Sequence, residues 1–396
     1  MNVLIDATWI ASHYKKNSMH GGLRVVKELI KGIENQNGIE LFYSVGYYDK
    51  LLIRNLEEYL IENKIFNLSE RIVNNKGFLF DLKRVSFKIF NKNNEISNFN
   101  QNKLKNITVY HSPIGPIPDN ILKNDRIKKI FTSHDLMPFV RPDLAPVEFY
   151  DFLKSAYDTV TNETKVICVS NYTKSELLNY RKDLDEKNIF VNYLGADKNL
   201  FFQNKNFEFI KKIKLKYQIN CSNYILCLNR IQKYKNTEHI LKAYDNILKS
   251  NKKIDLGIVL IGTFQNMKIK TQILERYNNK DIIFIEYVPD EELSILYSNA
   301  LCFVYMSLYE GFGLPLLEAM QCGVPVISSN LTSLPEVVGD AGVCINPFDV
   351  DLLSNTILEL YNSESKQKEL SEKSLKRSGL FSWEKNINET LRIYNL

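Results

Sequence analysis

Four features follow one another between Leu301 and Ser328 and leave the chain few ways to fold there. An apolar run of strand length (301–306) comes first. A turn punctuated by glycines follows, Glu310-Gly311-Phe312-Gly313. A stretch of helical character opens on Leu314-Pro315, and a second apolar run occupies 324–328. Strand, turn, helix and strand in that order make a parallel α/β unit, and such units take ligands at the carboxyl ends of their strands. Gly311 and Gly313 let the backbone approach a ligand closely. Pro315 suits a first helical turn, where its missing N–H is no loss. The free amides of that turn form an anion site matched to a diphosphate. Glu310 opens the turn, and Glu318 lies about one turn into the helix, where a carboxylate can accept hydrogen bonds from ligand hydroxyls. Two glutamates so spaced around an anion-binding turn point to a nucleotide-sugar site. The plainer alternative is a strand–turn–helix whose glycines serve packing alone.

The chain has 396 residues, too many for one ordinary core and well suited to two α/β domains of similar size. With 44% hydrophobic and 24% charged residues it is expected to be globular rather than disordered. A net charge of +5 is too mild to imply a nucleic-acid partner. Cys168, Cys221, Cys227, Cys302, Cys322 and Cys344 form no Cys-x-x-Cys pair, and most sit in apolar runs, as reduced thiols of a cytosolic core do. The histidines show no metal-ligand spacing. The N-terminus lacks the features of a signal peptide, and no apolar run is long enough to span a bilayer, so the expected location is the cytoplasm or the inner face of a membrane.

Apolar runs alternate with helical or turn-rich stretches along the whole chain, as in a parallel sheet. The first series has strands expected at 2–6, 39–45, 108–111, 129–133 and 166–169, and a short one at about 190. A polar loop containing Gly21 and Gly22 is expected between the first strand and a helix at 23–33. A second series begins at 224–228 and continues at 255–261, 282–288, 301–306 and 324–328; residues 383–394 make a final helix. The first βα turn has no Gly-x-Gly-x-x-Gly, which argues against a nicotinamide-dependent dehydrogenase.

The segment from Glu310 to Glu318 resembles the Glu-x(7)-Glu signature of retaining glycosyltransferases of family 4. The resemblance covers nearly the whole chain, strongly from 226 to 345 and in patches before that. It implies the α/β GT-B architecture, two Rossmann-like parallel-sheet domains facing a central cleft. Residues 1–200 would form the acceptor-side domain and 201–379 the nucleotide-sugar-binding domain, with the helix at 380–396 folded back on the first. It also implies transfer of a sugar, with retention, from a nucleoside-diphosphate donor to a hydroxyl of a glycan or lipid-linked acceptor, as in bacterial surface polysaccharide assembly. No metal and no other cofactor are implied.

The same resemblance assigns roles to residues. Glu310 would contact the donor sugar and Glu318 the ribose. Arg230 and Lys235 would hold the diphosphate, Arg as a planar fork and Lys as a mobile point charge. Amides around Gly311, Phe312, Gly313 and Leu314 would join them. Val288 marks the loop that meets the base through its backbone. His134, in a His-Asp-x-x-Pro segment after an apolar strand, corresponds to the residue facing the transferred sugar, and Gly21 and Gly22 to the loop beside phosphate and acceptor. For each basic or histidine residue the alternative is a solvated or loop-ordering role. Asp349-Val350-Asp351 imitates a metal-binding pattern, but it opens a helix, where carboxylates cap amides.

Residues 76–90 are basic and rich in aromatics, with Phe78, Leu82, Val85 and Ile89 on one helical face. They suit either peripheral contact with an anionic membrane or an amphipathic core helix. Two rival functions remain at this level: another GT-B enzyme, such as a sugar-nucleotide epimerase or phosphorylase, and a silent partner that binds nucleotide sugar or membrane.

Overall fold

The computed structural model describes residues 1–14, 21–45, 50–74, 99–228, 232–262, 271, 275 and 281–396. Arg230 and the segment 76–90 lie outside the described residues. The chain divides into two units, one of Met1–Pro138, Pro146–Asn192 and Ile387–Leu396, the other of Phe139–Ala145 and Tyr193–Asn386.

In the first unit the strands are β1 (Asn2–Asp6), β2 (Glu40–Ser44), β3 (Val109–Ser112), β4 (Lys128–Ser133), β5 (Thr164–Cys168) and β6 (Ile189–Val191). They form one sheet in the order β2-β1-β3-β4-β5-β6, with every pairing parallel. A parallel sheet is covered on both faces, so its strands are continuous apolar runs rather than alternating ones. Val3, Leu4 and Ile5 are accordingly all fully buried.

The expected loop between β1 and the first long helix is corrected by the structure. A short helix, Thr8–His13, follows β1 directly, because the Asp6 carboxylate accepts both the amide and the hydroxyl of Thr8 and so starts a turn early. Gly21 and Gly22 are the first residues of the helix Gly21–Glu34 rather than loop residues.

The last residues of the chain complete this unit's core. Ile387, Ile393 and Tyr394 of the helix Trp383–Asn395 pack among the first unit's buried side chains. A Cβ on Gly32 would fall 2.3 Å from Ile387 Cγ1, so glycine permits this helix to approach. Buried His111 shares one ring nitrogen with the Tyr394 hydroxyl (2.6 Å) and the other with Thr132 Oγ1 (2.7 Å). Burial, with His134 nearby, pushes the His111 ring down to about 3 from the ordinary 6.5, so it is neutral at physiological pH.

This gives a pH dependence of known sign. The unfolded ring protonates below its ordinary value and the folded ring does not, so the stability is fully present above that value and is lost as pH falls toward the folded one. One such group contributes a slope of about 1.4 kcal/mol per pH unit in this window. The urea midpoint of the wild type should therefore drop between about pH 7 and about pH 5, and less steeply in His111→Asn. Equal slopes in the two proteins would show that His111 is not the group responsible.

The second unit has β7 (Asn223–Leu228), β8 (Leu256–Ile261), β9 (Ile282–Ile285), β10 (Cys302–Tyr305), β11 (Val326–Ser329) and β12 (Val343–Ile345). Their order is β12-β11-β10-β7-β8-β9, again all parallel. The chain builds outward from β7 to β9, then returns to the other side of β7 and builds outward again from β10. The direction reverses between β7 and β10, which makes their carboxyl ends the topological switch point of the sheet, the place where open α/β sheets take ligands. The six cysteines are free thiols, five of them buried. No helix among the described residues is long and apolar enough to cross a membrane.

Candidate active site

Both loops at the β7–β10 reversal carry residues that the sequence singles out. Beyond β7 lies a single 3-10 turn, Lys233–Lys235. Asn236 then turns in a left-handed conformation (φ +56°) into the helix Thr237–Ser250, and its side-chain amide donates to the Pro347 carbonyl (2.8 Å). The Leu308 amide donates to the Tyr234 carbonyl at 2.7 Å and so joins the two loops.

Lys235 and Glu310, far apart in sequence, meet there. Lys235 Nζ donates to Glu310 Oε1 (2.6 Å) and to the Tyr305 hydroxyl (2.6 Å). Tyr305 in turn donates to the same Oε1 at 2.7 Å. The ammonium also lies 4.7 Å and 4.9 Å from the ring centroids of Tyr305 and Tyr234. The lysine and glutamate side chains are 12% and 16% exposed, so the pair is shielded from water yet open to a ligand. Burial and the Glu310 charge hold the Tyr305 phenol far above its ordinary value, and it remains a hydrogen-bond donor.

The turn that follows is fixed from the 330–334 segment. The Glu310 amide donates to Thr332 Oγ1 (3.2 Å), and the Ser333 hydroxyl is within donating distance of the Glu310 and Phe312 carbonyls (2.9 and 3.1 Å). Thr332 itself has φ +57°, uncommon for a β-branched residue. Gly313 has φ +103° and ψ 47°, a conformation that requires glycine, and caps the helix Leu314–Gln321. Its carbonyl accepts from Leu316 and Leu317, and Pro315 has no N–H, so the amides of Gly313 and Leu314 are the ones the helix start offers. Glu318 is only 3% exposed, on the second turn of the same helix. The Phe312 ring packs against Tyr193 and Phe381, with centroids 6.2 and 5.9 Å away, so its contribution to a site is confined to its backbone.

Val288 lies between β9 and the helix Asp290–Asn299 with its side chain fully buried, which again leaves only its backbone. Asp349 Oδ1 accepts the Leu352 amide (2.9 Å) as the N-cap of the helix Val350–Asn362.

Three of the expected residues belong to the first unit. His134 directly follows β4, and its Nε2 faces the Pro113 carbonyl at 2.8 Å. A carbonyl only accepts, so Nε2 carries the proton. Burial lowers the ring's pKa, so the neutral form leaves Nδ1 as an acceptor. Asp135 next to it accepts the Met137 amide at 3.0 Å and starts the short helix Met137–Val140. Gly22 lies near the β3 loop, where a Cβ would meet Ile114 Cδ1 at 3.2 Å.

Tyr305 and Thr332 escape a reading of the sequence. A tyrosine closing an apolar run looks like core. The one available signal is its place at the carboxyl end of a strand, five residues before Glu310.

Two six-stranded, wholly parallel sheets on one chain, each with the Rossmann-like arrangement, make the GT-B fold. The profile of the family described as "Glycosyl transferases group 1" matches residues 206–377. The O-antigen chain mannosyltransferase B of Escherichia coli is 33% identical over 295 residues, which are 73% of this chain and 74% of that one. The chain belongs to the group 1 glycosyltransferases. It is also similar to the serotype-specific mannosyltransferase WbdA of Escherichia coli, with 29% identity over 262 residues; the match takes in 65% of this chain and 32% of WbdA. Among solved structures, Anabaena Alr3699/HepE in complex with UDP and glucose aligns over 100% of this chain and 99% of its own with a TM-score of 0.71. At 14% identity that likeness is one of fold.

Proposed function

We propose that this glycosyltransferase is a retaining enzyme of family 4 that moves a mannosyl group from a nucleoside-diphosphate mannose to a glycan hydroxyl during assembly of a bacterial surface polysaccharide. The observation that carries this is the Lys235–Tyr305–Glu310 cluster at the β7–β10 reversal, within one turn of the glycine-capped helix start. The similarity to mannosyltransferases supports the choice of a mannosyl group and of a polysaccharide product.

In this reading Lys235, Arg230 and the amides of Gly313 and Leu314 take up the charge that grows on the departing diphosphate. Such fixed donors need no reorganisation as the bond breaks. Glu310 accepts from hydroxyls of the donor sugar, Glu318 from the ribose, and the backbone at Val288 meets the base. In the first unit the neutral His134 ring offers Nδ1 to a sugar hydroxyl, and Gly21 and Gly22 are assigned to the acceptor side. The acceptor attacks the front face of the donor, and the leaving phosphate takes its proton, so no side-chain nucleophile is required.

The test is a panel of nucleoside-diphosphate sugars incubated with and without a mannan-type acceptor. Release of nucleoside diphosphate should depend on acceptor, favour mannosyl donors and give a product of the donor's anomeric configuration. Acceptor-independent turnover would favour an epimerase or phosphorylase. Because the positive charge comes from side chains, transfer should persist in excess chelator; loss restored by magnesium or manganese would refute that part. The acceptor is further proposed to be lipid-linked, on the strength of the basic and aromatic residues of 76–90. A protein that never co-sediments with anionic vesicles would place the acceptor in solution instead.

A further inference from the structure

We infer that Tyr305 is a positioning residue for the donor diphosphate, its hydroxyl keeping Lys235 and Glu310 in register so that the ammonium can turn to phosphate without the carboxylate losing its place. This rests on the assignment of Lys235 to the diphosphate. The hydroxyl has a single hydrogen, and the geometry settles where it goes. The Lys235 ammonium can only donate, so the phenol oxygen accepts from it and gives its own hydrogen to Glu310 Oε1.

Among the described residues Lys235 thus commits two of its three N–H groups, both within the cluster, which leaves the third for a ligand. Oε1 takes both donors of the cluster, and among the described residues Oε2 receives neither of them. When a diphosphate draws the ammonium away, a carboxylate held by lysine alone would be left as an uncompensated, largely buried charge. With Tyr305 in place it keeps a short charge-assisted bond throughout.

The hydroxyl is held rigidly. Tyr305 is the last residue of β10, paired with Ser328 of β11, and its buried ring stacks on Phe303 with centroids 5.6 Å apart. Phenylalanine would fill the same volume, and Lys235 and Glu310 would still satisfy one another, so packing does not demand the oxygen.

The experiment is a double-mutant cycle on nucleotide affinity. GDP and UDP are titrated calorimetrically into the intact wild-type chain, and the tighter of the two into Tyr305→Phe, Lys235→Ala and the double variant. Tyr305→Phe should weaken binding about tenfold in the wild-type background and by less than about twofold once Lys235 is gone, since a residue acting through another has nothing left to act on. Its thermal midpoint should stay near the wild type. Equal losses in both backgrounds, or none in the single variant, would overturn the role of Tyr305 and leave the site standing. If Lys235→Ala binds as well as wild type, or neither nucleotide binds wild type, the underlying assignment of Lys235 fails instead.

Discussion

Alanine at Lys235 is expected to lower turnover at saturating donor by about two to three orders of magnitude, the usual loss when one preorganised donor to a growing charge is removed. The nucleoside diphosphate must leave with its negative charge stabilised, and Lys235 is the described cation at the β7–β10 reversal that the geometry places beside Glu310. The fold should survive, because Glu310 keeps the Tyr305 hydroxyl. Arg230→Ala should behave alike, and the double variant should lose less than the product of the two, since the proposal assigns both groups to one diphosphate. Turnover that falls by less than about threefold in Lys235→Ala would remove it from leaving-group stabilisation.

Glu318→Ala should weaken donor binding by about ten- to a hundredfold, corresponding to the loss of a hydrogen bond to a charged acceptor worth roughly 1.5–3 kcal/mol. Its carboxylate is almost fully buried on the helix that Gly313 caps, where water competes little with ligand hydroxyls. Glu318→Gln keeps an acceptor oxygen without the charge and should fall between the two. Donor affinity equal to wild type in Glu318→Ala, measured by calorimetry with activity retained, would take Glu318 out of the ribose role.

Much of the fold can be read in the sequence because parallel strands are continuous apolar runs. β7, β8 and β10 stand out as runs dominated by Ile, Leu, Val, Phe, Tyr and Cys. β12 does not, since three residues after Gly342 carry no period. Thr8–His13 is hidden as well, because its start is set by the Asp6 side chain reaching back to Thr8, and polar residues around it resemble a loop. The Glu310–Glu318 turn is local, so its chemistry shows in the sequence. The meeting of Lys235 with Glu310 is not local. It requires β10 to return beside β7, and no pattern within either segment states that order. The same holds for Thr332 and Ser333, which bear on Glu310 only once β11 has been laid next to β10.

Thr332 has a consequence for how this protein can be improved or can drift. A threonine with φ +57° stores strain of about 1–3 kcal/mol that glycine would release. Yet its hydroxyl is the partner of the Glu310 amide. Selection for heat resistance and selection for catalysis therefore pull this residue in opposite directions. An engineer ranking sites by ease of stabilisation would find Thr332 near the top, and by relaxing it would loosen the backbone that aims Glu310.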